Sequence, residues 1–286
     1  MIEFLNILHP AVLAAAVFVF GLLIGSFLNV VILRLPPRLF QDWRCQCREL
    51  LGIENTEDPA TPPGLVADRS RCPKCNNTIA WYDNIPVVSW LILRARCRQC
   101  GTPISWRYPL VELATGVLSA IVIWHFGPTA QGAAALVLTW ALIVATGIDF
   151  DHQLLPDQIT LPLLWLGLLL NLWLGLFASL EDAVIGAIAG YGVLWLVFHL
   201  FRLLTGKEGM GFGDFKLLAA LGAWLGWQVL PLIILLASLV GAVVGIGLMI
   251  AFRHKKDVPI AFGPYLAAAG FIAMIWADPI IDLWLN

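Results

Sequence analysis

Charge is scarce in this chain. Of 286 residues, only 13% are Asp, Glu, Lys or Arg, whereas 60% are hydrophobic. That balance excludes a water-soluble globular domain of this size and implies a polytopic membrane protein. The first ten residues, MIEFLNILHP, contain no Lys or Arg, and no A-x-A-like site stands between the first apolar run and the polar region. A cleaved secretory signal is therefore not expected, and the first apolar run should remain as a helix with its N-terminus outside. The G-x-G stretch Gly211-Phe212-Gly213 lacks the third glycine of G-x-G-x-x-G and follows no strand-like run, which excludes a dinucleotide-binding fold. No internal repeat or low-complexity segment stands out, and no nucleic-acid partner is expected.

What is present is a series of apolar runs long enough to cross a bilayer at about 1.5 Å per residue. About eight spans are read: 11–33, 108–126, 131–148, 158–178, 183–204, 215–228, 230–252 and 260–278. The sixth is short and is expected to be tilted or enclosed by its neighbours. The fold class is thus an all-α polytopic membrane protein with a small cytoplasmic domain inserted after the first helix. The expected domains are 1–33, a first transmembrane helix; 34–107, a cytoplasmic zinc-binding domain with a flexible, Pro- and acid-rich excursion at 54–68; and 108–286, a transmembrane domain. The net charge of −2 conceals an uneven distribution, because 11 of the 17 Lys and Arg lie between Arg34 and Arg107. The positive-inside rule makes that stretch cytoplasmic. Alternation then places 149–157, 205–214 and 253–259 on the same side, with Lys207 and Arg253-His254-Lys255-Lys256, and puts Glu181 and Asp182 outside. Small-xxx-small pairs, Gly21/Gly25, Gly186/Gly190, Gly222/Gly226 and Gly241/Gly245, mark close helix packing. Trp81, Trp90, Trp106, Trp124, Trp165 and Trp276 are read as anchors at the membrane interfaces.

Four of the six cysteines form Cys72-Pro-Lys-Cys75 and Cys97-Arg-Gln-Cys100, a C-x2-C-x21-C-x2-C pattern. Two tight turns of two thiolates complete a tetrahedral site, so a structural Zn²⁺ is expected on Cys72, Cys75, Cys97 and Cys100. A reducing cytoplasm disfavours disulfides. Four protein ligands leave no open position, which argues against catalytic zinc. Cys45 and Cys47, spaced C-x-C, are read as bystanders.

Carboxylates at two membrane edges carry the strongest functional signal. They lie in GIDFDHQLLPD (147–157) and GMGFGD (209–214). An ionisable group at membrane depth costs roughly 2.5–3.5 kcal/mol on insertion scales. Asp149 is the first acid after an unbroken apolar helix and so lies deepest; Asp151 and His152 sit closer to water. Asp157 reads as an N-cap of the next helix. Asp214 follows two glycines at a tight bend, and it too could be read as a cap. Two carboxylates brought together can share one proton, one acting as acid and the other as base. The residues alone leave three readings open: a paired-aspartate hydrolase, a transporter or channel using these acids, and a zinc-ribbon membrane scaffold.

The motifs GSFLNVVILRLP (25–36), the paired C-x2-C, RYPLVELATG (107–116), IDFDHQLLPD (148–157), TGKEGMGFGDFKLLAALGAW (205–224) and IAFGPYLAAAG (260–270), in this order along nearly the whole chain, resemble those of the type IV prepilin peptidases. The resemblance implies an intramembrane aspartyl peptidase of the GxGD type in the bacterial inner membrane, with Asp149 and Asp214 as its catalytic pair. It implies prepilin or pseudopilin substrates, from pilus or type II secretion systems, cleaved after a glycine at the cytoplasmic face, with membrane lipid as surroundings. It also implies N-methylation of the new N-terminal residue from S-adenosylmethionine. The chain departs at Ala95, where the family commonly has a glycine. The added Cβ disfavours positive φ, so methylation is expected to be weaker or differently organised.

Overall fold

The computed structural model describes residues 10–53, 62–66, 68–252 and 261–285. Among them all regular structure is helical, apart from two isolated antiparallel bridges, Arg71–Thr78 and Arg96–Pro103. The helices are α1 (Pro10–Leu50), α2 (Val88–Ile92), α3 (Arg107–Phe126), α4 (Ala130–His152), α5 (Asp157–Leu174), α6 (Leu180–Thr205), α7 (Phe212–Leu225), α8 (Leu230–Phe252) and α9 (Gly263–Leu285), with a 3₁₀ turn at Trp81–Asn84. Among the described residues, six segments are long and apolar enough to cross a membrane: Ala11–Leu50, Arg107–Phe126, Ala130–His152, Asp157–Leu174, Leu180–Thr205 and Leu230–Gly247. Gly263–Ala277 is a shorter apolar stretch. The protein is thus a multi-pass membrane protein, and each expected span corresponds to a helix. The chain divides into two compact units, Met1–Trp124 and His125–Asn286.

In the first unit, α1 does not stop at residue 33. It continues through Pro36 and Pro37 to Leu50. The two prolines withdraw two N–H donors, but contacts remote in sequence hold the polar extension. Arg34 donates to the carbonyls of Gly64, Asp68 and Arg69, and Arg38, one turn on, donates to that of Pro63. The 62–69 strip is therefore pinned to one helix face. The rest of the expected excursion, 54–61 and Ala67, lies outside the described residues, as does Arg253–Lys256. Further along, α1 meets α3 backbone to backbone. A Cβ on Gly25 would sit 2.7 Å from the Glu112 Cα, and one on Gly21 would sit 2.8 Å from the Gly116 Cα.

The second unit is built around α7. This helix has 14 residues, and those from Leu217 to Trp224 are all buried. It is enclosed by its neighbours, as its shortness requires: a helix of about 21 Å cannot span the hydrocarbon alone. Gly186 on α6 abuts the Gly222 carbonyl, so a methyl at either position would collide with backbone. Buried Asn171 on α5 satisfies the orphan carbonyls at the α7 C-terminus. Its Nδ2 donates to the Ala223 and Trp224 oxygens at 3.0 and 2.9 Å, and its Oδ1 accepts from the Phe177 and Ala178 amides. The Trp224 indole donates to the Leu163 carbonyl at 2.7 Å.

Candidate functional site

In the second unit, α4 ends on Gln153, which adopts the left-handed conformation at φ 51° and donates its N–H to the Asp149 carbonyl. Asp149 thus occupies the last turn and is buried. The chain returns through buried Leu155 and Pro156 into α5. α7 starts at Phe212, with Gly211 as its cap, so Asp214 lies within the first turn and is buried. Phe212 anchors that start on an aromatic cluster, with ring centroids 5.3 Å from Phe198 and 5.2 Å from Phe215. Leu155 packs against the backbone beside Asp214 and against the start of α9. A Cβ on Gly213, next to Asp214, would lie 2.6 Å from its Cβ, and one on Gly263 would lie 3.1 Å from its Cδ1. Gly263 opens α9, and its free N–H donates to Asp149 Oδ2 at 3.0 Å. Asp149 and Asp214 are close enough for their charges to interact.

Two local expectations need correction. Asp157 is not an N-cap: Pro156 holds that position, and Asp157 begins the helix with its carboxylate 2.6 Å from Lys216 Nζ on α7. Asp214 is not a cap either, because α7 begins at Phe212, three residues earlier than a cap at Asp214 requires. Asp151 and His152 are exposed, as expected. The sequence reading did not single out Gly263, Leu155 or Lys216. All three stood inside quoted motifs, and the role of Gly263 depends on a contact 114 residues away.

In the first unit the four cysteine sulfurs lie within 4.8 Å of one another. Each pair sits on a knuckle of the same design. The Cys72 N–H donates to the Asn77 carbonyl and the Asn76 N–H to the Cys72 carbonyl; Cys97, Thr102 and Gly101 repeat the pattern. Asn76 and Gly101 both take positive φ, at 56° and 67°. Outside the knuckles, the Ile79 N–H donates to the Ser70 carbonyl and the Ile104 N–H to the Ala95 carbonyl. The two strips are a short repeat, RCPKCNNTIAW and RCRQCGTPISW (71–81 and 96–106), which the sequence reading overlooked. Tetrahedral ligation at a Zn–S distance of about 2.3 Å separates sulfurs by about 3.8 Å, and Cys72 Sγ and Cys100 Sγ are 3.8 Å apart. The cluster is compatible with a structural zinc ion. Hydrogen bonds from the Thr102 hydroxyl and amide hold Cys100 down to about 6. Cys45 and Cys47 are exposed on α1, outside the cluster. Arg98 bridges the second knuckle to the 3₁₀ turn, donating from Nε and Nη2 to Asp83 at 2.8 and 2.6 Å, which holds Asp83 below the usual carboxylate range.

Ala95 adopts φ 57°, beside Arg94 at 50°. The backbone has the conformation a glycine would take, so the departure at this position costs strain, about 1–2 kcal/mol for an L residue, rather than the turn itself.

Comparison with known proteins agrees with these motifs. Residues 19–126 match the bacterial peptidase A24 N-terminal domain, and residues 136–246 match the type IV leader peptidase family. The chain is 56% identical over 277 residues to a prepilin leader peptidase/N-methyltransferase of Aeromonas hydrophila, covering 97% of this chain and 95% of that one. It is 55% identical over 282 residues to its counterpart from Stutzerimonas stutzeri (97% and 96%), and 54% over 278 residues to that of Pseudomonas aeruginosa (97% and 95%). No solved structure matches. The transporter reading finds no support among these relatives, and the chain belongs to the type IV leader peptidase family.

Proposed function

We propose that this protein removes the short basic leader from type IV prepilins or type II secretion pseudopilins at the cytoplasmic face of the bacterial inner membrane, and then N-methylates the exposed N-terminal residue. The observation that carries the reading is the pairing of Asp149 and Asp214, two buried carboxylates on different helices, near enough for their charges to interact, with Leu155 packed on the glycine beside Asp214 and on the glycine that holds Asp149. A lone buried carboxylate is costly; two of them at the edge of an apolar bundle suit hydrolysis by water. The ionised member draws a proton from water while the protonated member polarises the scissile carbonyl. The water oxygen bonds to carbon, the C–N bond then breaks, and the departing amine takes up a proton. The pair titrates as a unit, so neither residue is assigned the proton. The Gly263 N–H fixes the position of one carboxylate.

The cytoplasmic orientation follows from the basic residues between Arg34 and Arg107. The substrate's basic leader would stay at the cytoplasmic surface near anionic headgroups while its apolar helix remains in lipid. Cys72, Cys75, Cys97 and Cys100 would hold a structural Zn²⁺, which contributes folding energy to a strip with little apolar core. S-adenosylmethionine would be the methyl donor. The test is incubation of the purified protein with a prepilin, with and without S-adenosylmethionine, followed by mass spectrometry. The expected products are a leaderless pilin in both cases and a further methyl group only with the donor. Intact prepilin in both would refute the reading.

A further inference from the structure

The first unit encloses a cavity of about 460 Å³. One wall is the α1–α3 pair, which contributes Ser26, Asn29 and Glu112; the other is the polar strip that carries both cysteine knuckles. The volume is in the range that takes a small organic ligand. Glu112 is 7% exposed and is the one acid on α3. Its Oε2 accepts the Val87 N–H at 2.8 Å, and the Ser26 hydroxyl also bonds to it. Among the described residues no cation pairs with it. Val87 holds φ 61°, an outlier for a β-branched residue. Such strain costs about 1–3 kcal/mol and gathers at ligand sites; here it aims an amide at the carboxylate. Two rings complete the wall. The Trp90 indole is oriented by its bond to the Ile104 carbonyl at 3.2 Å, and the Tyr82 ring lies under the Arg98 guanidinium at 5.7 Å. A buried carboxylate beside aromatic faces suits a cation that carries a flat heteroaromatic group.

We propose that this cavity binds S-adenosylmethionine, with Glu112 facing the positively charged sulfur and Trp90 and Tyr82 facing the adenine. The inference rests on the N-methylation proposed above. The cavity lies where α1 and α3 leave their apolar runs, the depth at which a membrane-held pilin would present its new N-terminus. In the transfer, the substrate ammonium first gives up one proton to water. The amine lone pair then forms the N–CH₃ bond as the S–CH₃ bond breaks, and its electrons go to sulfur. The products are a secondary ammonium and a neutral thioether, S-adenosylhomocysteine. Loss of charge at sulfur makes Glu112 discriminate donor from product.

The test is equilibrium dialysis of radiolabelled S-adenosylmethionine and S-adenosylhomocysteine against full-length wild type, Glu112→Gln and Ala80→Phe, each in a preparation that still cleaves a prepilin. Ala80 lines the cavity, and a phenyl ring there would fill it. Glu112→Gln should weaken donor binding at least about tenfold and product binding less than about threefold. Ala80→Phe should weaken both, and decides alone if the first variant gives no cleaving preparation. Unchanged donor binding in the variants, with a wild type that methylates, would overturn the cavity and leave the function standing. A wild type that cleaves but neither binds the donor nor methylates would overturn both the methylation reading and the cavity.

Discussion

Gly263 shows how much of this site depends on the absence of an atom. Its N–H holds the Asp149 carboxylate, and a Cβ there would lie 2.6 Å from the same oxygen. Gly263→Ala should therefore displace the carboxylate and lower the cleavage rate by about a hundredfold, the usual cost of a misplacement of about 1 Å. Methylation of a pre-cleaved pilin by the same variant should stay at the wild-type rate, and a parallel loss of both activities would point to general unfolding instead. Membrane-edge carboxylates stood out in the sequence because they are costly there, and the family resemblance chose Asp149 and Asp214 among them. Their neighbours were not: Gly263 meets Asp149 across 114 residues, and Lys216 meets Asp157 across 59. Local pattern led to caps at Asp157 and Asp214, but α5 begins at Asp157 itself, capped by Pro156, and α7 begins two residues before Asp214.

At the scale of elements, apolar length made nearly every helix legible. The short α7 was also readable as an enclosed helix, since 14 residues leave no other way to satisfy its backbone within a membrane. The polar end of α1 was not. Pro36-Pro37 reads as a stop, yet the helix passes it, with Arg34 and Arg38 gripping carbonyls between Pro63 and Arg69. The cysteine strips were half legible. The C-x2-C spacing pointed to the four-sulfur cluster, while the matching Arg71/Arg96, Ile79/Ile104 and Trp81/Trp106 that reveal one knuckle built twice lie outside it. The knuckles approach each other through their sulfurs, so removing one ligand should loosen both. Replacing Cys72, Cys75, Cys97 or Cys100 with Ser should lower zinc content from about one per chain and open the 70–107 region to protease, whereas Cys45→Ser and Cys47→Ser should change neither. Elemental analysis of carefully reduced wild type that found no metal would remove zinc from the account.

Across the whole molecule, the two chemistries fall in different units. The carboxylate pair belongs to His125–Asn286, and the sulfur cluster and the Glu112 cavity to Met1–Trp124. Each set of side chains is assembled within its own unit, so loss of one activity need not remove the other. The central claim is that Asp149 and Asp214 together activate water. Asn keeps the volume and polarity of Asp but cannot cycle a proton. The most direct measurement gives Asp149→Asn and Asp214→Asn an intact prepilin and, separately, a pre-cleaved pilin with a free N-terminal Phe, both with S-adenosylmethionine, and reads the products by mass spectrometry. Both variants should leave the prepilin uncut and still methylate the pre-cleaved pilin. Cleavage at the wild-type rate by either variant would contradict the paired mechanism.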